Sequence, residues 1–240
     1  MMSLKIDHYT YRARLLPALF TILPIAVALS VWFPDKFVGW GMIFGFITTF
    51  GGTALLSQLG RDWGKSKEPG LFKKWGGIPT TRMLRNRQSS LERTTLARYH
   101  LKLAELLGRS MPDADVEKDD VRGADDIYAS ATQILREKTR DKQKFPLIYA
   151  ENVNYGFRRN LWGMKGIGIT LSAIGIILCL MHIFISWRLQ IPMSPAPFVG
   201  ALVNIFLLFG WLTLITPGWV RIPADAYARN LLASLDSNLL

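Results

Sequence analysis

The chain has little of what metal sites and enzyme active sites are built from: one cysteine, Cys179, and three histidines, at positions 8, 100 and 182, among 240 residues. A single cysteine excludes an intramolecular disulfide and any metal site built on several cysteines. No two histidines have the spacing of a metal site. The sequence also lacks a Gly-x-Ser-x-Gly motif and paired carboxylates within its apolar stretches. We therefore expect no metal site, no cofactor and no enzymatic activity.

Charge is missing from four long apolar stretches. No Asp, Glu, Lys or Arg occurs in Leu15–Pro34, Phe37–Gly60, Gly166–Trp187 or Leu189–Val220. Each has at least about the 20 residues that a helix needs to cross a bilayer. Core helices of soluble proteins rarely run this long without charge, so the pattern favours a membrane protein over a soluble all-helical one.

The basic residues predict the topology. Of 29 lysines and arginines, 22 lie between Arg61 and Lys165, and only Lys36 and Arg188 lie in the two loops that join paired apolar stretches. Cytoplasmic segments of membrane proteins carry the excess of Lys and Arg. We therefore expect a multi-pass protein whose termini and central segment are cytoplasmic.

Together these patterns predict an all-α membrane protein, homo-oligomeric, in which four transmembrane helices, two plus two, flank a small helical cytosolic domain. Residues 1–60 form the N-terminal tail and transmembrane helices 1 and 2, and residues 61–165 the basic cytosolic domain. Residues 166–220 form transmembrane helices 3 and 4, and residues 221–240 a cytosolic C-terminal tail.

Small and polar residues mark the apolar stretches. Gly41 and Gly45 in the second stretch, and Gly163, Gly166, Gly168 and Gly175 near the third, permit close helix contacts either between subunits or within one chain. Four helices of one chain leave no aqueous lumen, so a pore would need several copies. The candidate pore-lining residues are Thr48, Thr49, Thr53 and Asn204.

Charge is divided into blocks between the apolar pairs. Residues 61–109 contain 12 basic and 4 acidic residues, whereas residues 113–126 contain 7 acidic and 2 basic ones. This pattern indicates either charge pairing between subunits or an anion-binding face beside a solvated acidic loop.

The basic block contains the least ordinary segment, Glu68–Arg87. Its Pro69–Gly70, Gly76–Gly77 and Pro79 predict turns rather than a long helix, followed by a short helix that carries three arginines. Guanidinium groups bind phosphate and aromatic rings stack on bases, so the segment suits an anionic nucleotide. A belt at the membrane surface that contacts anionic lipid is the alternative. The candidate ligand-binding residues are Lys73, Lys74, Trp75, Arg82, Arg85 and Arg87.

Three helices are expected beyond this segment. One begins at Ser89 or Ser90 and ends before Gly108, with Leu96, Tyr99 and Leu103 on its apolar face. Two more follow an acidic loop, over Ala124–Lys142 and over Leu147–Asn160, the last running into the third apolar stretch.

The arrangement of the whole chain, with its Trp75–Thr81 segment, resembles the membrane effectors of bacterial anti-phage defence systems, in particular the membrane subunit of the Hailong system. The resemblance implies an oligomeric ion channel or pore-forming effector in the bacterial inner membrane. It also implies gating by a nucleotide or single-stranded oligonucleotide bound to the cytosolic domain, and a nucleotidyltransferase partner encoded nearby.

A non-conducting membrane scaffold is the alternative function. It would recruit a cytosolic partner protein through Leu96, Leu103 or Asp119–Asp120. A transporter subunit is disfavoured because the apolar stretches lack a charged coupling residue.

Overall fold

The computed structural model describes residues 7–34 and 52–239, and every regular element in these ranges is helical. A π-helical turn, Thr10–Leu15, leads into α1, Leu16–Trp32. The next helices are α2, Gly52–Trp75; α3, Pro79–Leu84; α4, Arg93–Leu107; α5, Ala114–Asp119; and α6, Val121–Lys138. The chain continues with α7, Pro146–Arg188; α8, Ala196–Thr213; α9, Pro217–Ala233; and a final 3₁₀ turn, Ser234–Asp236.

Three helical segments within the described ranges are long and apolar enough to cross a membrane: Thr10–Trp32, Pro146–Arg188 and Ala196–Thr213. With 43 residues, α7 is about 65 Å long, roughly twice the hydrocarbon thickness of a bilayer. Only its charge-free part, from Gly166 onward, therefore suits the hydrocarbon. Most of the second predicted span, Phe37–Gly60, lies outside the described residues.

Large apolar side chains remain exposed along α7 and α8. Ile177 and Phe184 of α7 and Phe206 of α8 are each about 60% exposed or more, at 61%, 60% and 68%. A water-soluble protein rarely exposes so much continuous apolar surface, whereas lipid covers it at no cost. The helical, membrane-like character predicted from the sequence is therefore found in the described residues.

The chain divides into two compact units. The apolar unit comprises Met1–Glu68 and Gly156–Val220, and the polar unit comprises Pro69–Tyr155 and Arg221–Leu240. The unit boundaries fall inside α2, α7 and α9. Residues 221–240, treated above as a separate tail, thus belong to the polar unit.

The polar unit has one apolar core. Its members that are at most 2% exposed include Leu103 of α4, Tyr128 and Leu135 of α6, and Leu231 and Leu232 of α9. The amphipathic helices α4 and α6 do not form this core by themselves. The C-terminal helix α9 packs its apolar face against them.

Glycines allow close helix packing in the apolar unit. A Cβ on Gly163 of α7 would overlap the backbone of Trp63 and Gly64 in α2, and one on Gly168 would overlap the ring of Trp211 in α8. These two glycines, named as candidates for contacts between or within chains, therefore make contacts within one chain. Gly41 and Gly45 lie outside the described residues.

Several expectations about helix bounds are wrong. The Pro69–Gly70 pair does not break the chain into turns, because α2 continues through it to Trp75. Pro69 removes only the hydrogen bond that the Lys65 carbonyl would accept. Because Lys65 and Pro69 are both exposed, water can satisfy that carbonyl. Other differences are smaller. α4 begins at Arg93 rather than at Ser89 or Ser90, and the acidic loop contains α5, capped by Asp113.

We predict that truncating Leu232 to Ala lowers the free energy of unfolding of the polar unit by about 3 kcal/mol, because it leaves a cavity in the core. The control is Leu101→Ala, which removes the same atoms from a side chain that is 69% exposed. Thermal unfolding of the purified protein in detergent checks both. Equal melting temperatures for the two variants would show that residues 221–240 do not belong to the core.

Candidate functional site

The end of α2 forms a tight turn. Gly76 and Gly77 follow Trp75 with φ angles of +82° and +136°, values that residues with a Cβ rarely adopt. The Gly77 amide donates to the Phe72 carbonyl at 2.9 Å and thereby closes the turn. Ile78 then places Pro79 at the first position of α3, where a missing N–H costs nothing.

Arg85 fastens this turn to α6. Its Nε and Nη2 donate to the two carboxylate oxygens of Asp125 at 2.8 and 2.6 Å, and its Nη1 donates to the Gly76 carbonyl at 2.7 Å. The hydrogen bond to Asp125 raises the pKa of Arg85, although burial opposes that shift. A Cβ on Gly77 would come within 2.8 Å of Arg85 Nη2. The absence of a side chain at Gly77 therefore permits both the positive φ of the turn and the close approach of the Arg85 guanidinium.

Arg82 joins α3 to α9. Its Nη2 donates to Asp225 at 2.9 Å and its Nη1 donates to the Trp75 carbonyl at 3.3 Å. Arg221 Nε donates to the other oxygen of Asp225 at 3.1 Å. Two guanidinium groups thus share one carboxylate.

Arg87 belongs to a buried polar network around Glu117, whose side chain is 2% exposed. Glu117 accepts hydrogen bonds from the Asn86 amide at 2.6 Å and the Tyr128 hydroxyl at 2.8 Å, and pairs with Arg87 Nη1 at 3.3 Å. Burial alone would raise the pKa of Glu117, but these donors outweigh it and hold the pKa below its ordinary value. Burial and the bond to Glu117 raise the pKa of Tyr128.

His100 of α4 closes this network. Its ring stacks on Tyr128 with centroids 5.6 Å apart, and its Nε2 lies 2.8 Å from the Leu84 carbonyl. Because a carbonyl only accepts, Nε2 carries the proton in this contact. Burial lowers the pKa of His100, so the imidazole is neutral at neutral pH.

The six predicted ligand residues thus differ in their surroundings. Lys73 and Lys74 are exposed at the end of α2. Trp75 is buried, and its Nε1 has no hydrogen-bond partner. The buried Thr81 hydroxyl has none either. The short helix expected to carry three arginines ends at Leu84, so Arg82 lies on α3 while Arg85 and Arg87 follow it.

Three carboxylates that pair with these arginines are absent from the sequence-based list: Asp125, Asp225 and Glu117. The block pattern already contained a signal for two of them. Arg85 and Arg87 come from the basic block, and their partners Asp125 and Glu117 come from the acidic block. The blocks pair within one chain, at least in part, whereas Asp225 lies in the segment treated as a tail.

The apolar unit holds a second polar cluster, where α7 donates side-chain hydrogen bonds to backbone carbonyls. Pro17 has no N–H to donate to the Ala13 carbonyl, four residues earlier, and Asn160 Nδ2 donates to it at 2.6 Å. Pro223 likewise frees the Trp219 carbonyl, to which Arg158 Nη1 donates at 2.9 Å. α7 therefore satisfies one backbone carbonyl beside each of these prolines.

An ion pair lies beside these contacts. Arg159 Nη1 donates to Glu68 at 2.8 Å, and its Nε and Nη2 each donate to the side-chain oxygen Asn160 Oδ1 at 3.1 Å. A Cβ on Gly64 would collide with the Asn160 side chain. We call Gly64, Glu68, Arg159 and Asn160 the glycine junction.

The pore-lining candidates are only partly described. Thr48 and Thr49 lie outside the described residues, as does the side chain of Thr53. Asn204 is buried between α8 and α7: its Nδ2 donates to the Gly200 carbonyl at 2.9 Å, its Oδ1 has no partner, and it packs against Gly175.

Within residues 7–34 and 52–239, no group of three or more His, Cys, Asp or Glu side chains is placed to hold a metal ion. Comparison of the chain with protein-family models, with curated proteins and with solved structures finds no match.

Gly77→Ala is expected to destabilise the polar unit by about 1–3 kcal/mol, because it forces a positive φ on alanine and displaces Arg85. Gly70→Ala is the matched control: Gly70 is helical and has no atom within 4 Å of an added Cβ. That change should stabilise the protein by about 0.5–1 kcal/mol. Melting temperatures that fall equally in both variants would contradict the assigned role of Gly77.

The lowered pKa of His100 predicts loss of stability in mild acid. Its ordinary pKa is 6.5. His100 takes up a proton less readily in the folded protein than in the unfolded chain. Its contribution to the free energy of unfolding is therefore complete above its ordinary pKa and is lost as pH falls through the folded pKa. The melting temperature of the wild type should therefore drop more steeply between about pH 7 and about pH 5 than that of His100→Gln. His8→Gln, at an exposed histidine, should follow the wild type.

Proposed function

We propose that this protein is an oligomeric inner-membrane channel or pore-forming effector, and that an anionic nucleotide or oligonucleotide on its cytosolic polar unit sets the gate. Anti-phage defence is the biological setting that the resemblance to the Hailong membrane subunit implies. The observation that supports the proposal best is the combination of three apolar helices with a unit in which three arginines of one short segment each hold a carboxylate.

An arginine that binds a carboxylate has the geometry to bind a phosphate. The guanidinium presents parallel N–H groups, and phosphate oxygens accept them with more negative charge than a carboxylate carries. Lys73 and Lys74 are exposed just before this segment and would attract the ligand backbone. Trp75 is buried, so it would act through its place in the turn rather than by stacking on a base.

The gate follows from a difference in affinity. A ligand that binds one conformation of the polar unit more tightly than the other biases the equilibrium between them. α2, α7 and α9 each contain residues of both units, so a change in the polar unit is covalently linked to the apolar helices.

The scaffold alternative loses two of the residues it would use. Leu96 and Leu103 are buried in the core of the polar unit, 7% and 0% exposed, and offer no surface to a partner protein. Asp119 remains exposed, while Asp120 caps α6 by accepting from the Gly123 amide.

The deciding experiment is ion flux through the purified protein in liposomes, with short single-stranded DNA and RNA oligomers on the side of the polar unit. We expect flux that changes with one class of oligomer. A protein that conducts nothing under any oligomer, while remaining folded and oligomeric, would favour the scaffold.

The Lys73→Ala/Lys74→Ala double variant should weaken oligomer binding and make it less salt-dependent, lowering the slope of log affinity against log salt by up to about two. The matched control, Lys142→Ala/Lys144→Ala, removes the same charge from two other exposed lysines. Fluorescence anisotropy of a labelled oligomer measures both. Equal losses would show that only net charge matters.

A further inference from the structure

The three arginine–carboxylate pairs differ in how completely their charges cancel. Arg85 and Asp125 form a neutral bidentate pair, and the Arg85 side chain is only 8% exposed. Arg87 and Glu117 also cancel, and Glu117 is fixed by further donors from Asn86 and Tyr128. Neither carboxylate can leave without breaking a well-satisfied buried contact.

Asp225 is different, because one carboxylate serves two guanidinium groups. Arg82 binds one of its oxygens and Arg221 the other, so in these ion pairs of the described residues two positive charges share one negative charge. A buried or half-buried excess charge costs free energy, and an anion of higher charge would remove it. The Asp225 side chain is 19% exposed and that of Arg221 41% exposed, so solvent-borne anions can reach them.

The geometry points to a binding site for a phosphate group between Arg82 and Arg221, and we propose that Asp225 is its intramolecular competitor. The carboxylate occupies the position that a phosphate would take, with guanidinium nitrogens on both of its oxygens. A phosphate dianion has more charge and a third oxygen, which matches the further N–H groups of the two arginines.

Displacement of Asp225 would release one of the contacts that hold α9. The same helix buries Ala228, Leu231 and Leu232 in the core, and these apolar contacts do not depend on Asp225. Because Arg82 and Arg221 would both bind the phosphate, ligand binding would exchange the Asp225 contact at the start of α9 for a contact through the ligand, while the rest of α9 stays packed. This inference rests on the proposed function, which makes the ligand a phosphate-bearing one. It adds where the phosphate binds and that Asp225 competes with it.

The test is binding of inorganic pyrophosphate and of a short single-stranded DNA oligomer to full-length protein in lipid nanodiscs. Removing the competing charge with Asp225→Asn should tighten binding of both by about tenfold. Asp126→Asn, at an exposed aspartate of α6, makes the same change in net charge and should alter affinity by less than about twofold. Adding Arg82→Gln to Asp225→Asn should abolish the gain.

Hydrogen exchange on the wild type provides a measurement that needs no variant. Pyrophosphate should change amide exchange in residues 221–227 and leave the centre of α6 unchanged. The proposal is overturned if Asp225→Asn binds no more tightly than Asp126→Asn, if Arg82→Gln leaves the gain intact, or if pyrophosphate leaves exchange in residues 221–227 unchanged.

Failure of this inference differs from failure of the proposed function. Oligomer-dependent flux that Asp225→Asn and Arg82→Gln leave unaltered would retain the channel and exclude this site. Pyrophosphate binding that obeys the competition, in a protein without oligomer-dependent flux, would retain the site and exclude the gated channel.

Discussion

The need to satisfy every backbone carbonyl where water is scarce governs the apolar unit. Proline has no N–H for the carbonyl four residues earlier in a helix, and a carbonyl shielded from water must then find a donor elsewhere. Pro17 and Pro223 free the carbonyls of Ala13 and Trp219, and α7 supplies Asn160 and Arg158 to them. The continuous 43-residue helix α7 therefore supplies a donor to each of these two carbonyls.

Glycine makes these contacts possible. The side chain of Asn160 in α7 lies against Gly64 of α2, and Gly163 of α7 lies against the backbone of α2. At Gly163 the two helices therefore approach without an intervening side chain. The Glu68–Arg159 ion pair adds a charge-assisted bond where the side chains are 23% and 9% exposed. A pair so shielded from water is costly to break by removing one partner. The glycine junction thus combines close packing with a fully engaged polar cluster.

In the polar unit, arginine plays the corresponding structural role. Arg85 holds the turn at Gly76 and Gly77 onto α6, and Arg82 ties α3 to the C-terminal helix. The three arginines of a segment that suits a ligand in the sequence form, in the fold, ion pairs with carboxylates of other helices. Structural and ligand-binding roles are compatible where the carboxylate can be exchanged, and among these pairs the shared Asp225 meets that condition best.

The sequence alone determined the helical class, three of the four predicted apolar spans and the basic character of the central segment, because hydrophobic length and charge distribution are local properties. It also predicted the end of α4 at Gly108, which adopts a positive φ of 67°. It misjudged Pro69, whose exposed surroundings tolerate a lost hydrogen bond, and it placed three arginines on one short helix, which ends at Leu84 before two of them. Only the tertiary structure decided that Asp225 pairs with Arg82, over a hundred residues earlier in the chain, and that Leu232 completes the core. Contacts between distant segments leave no local pattern in the sequence.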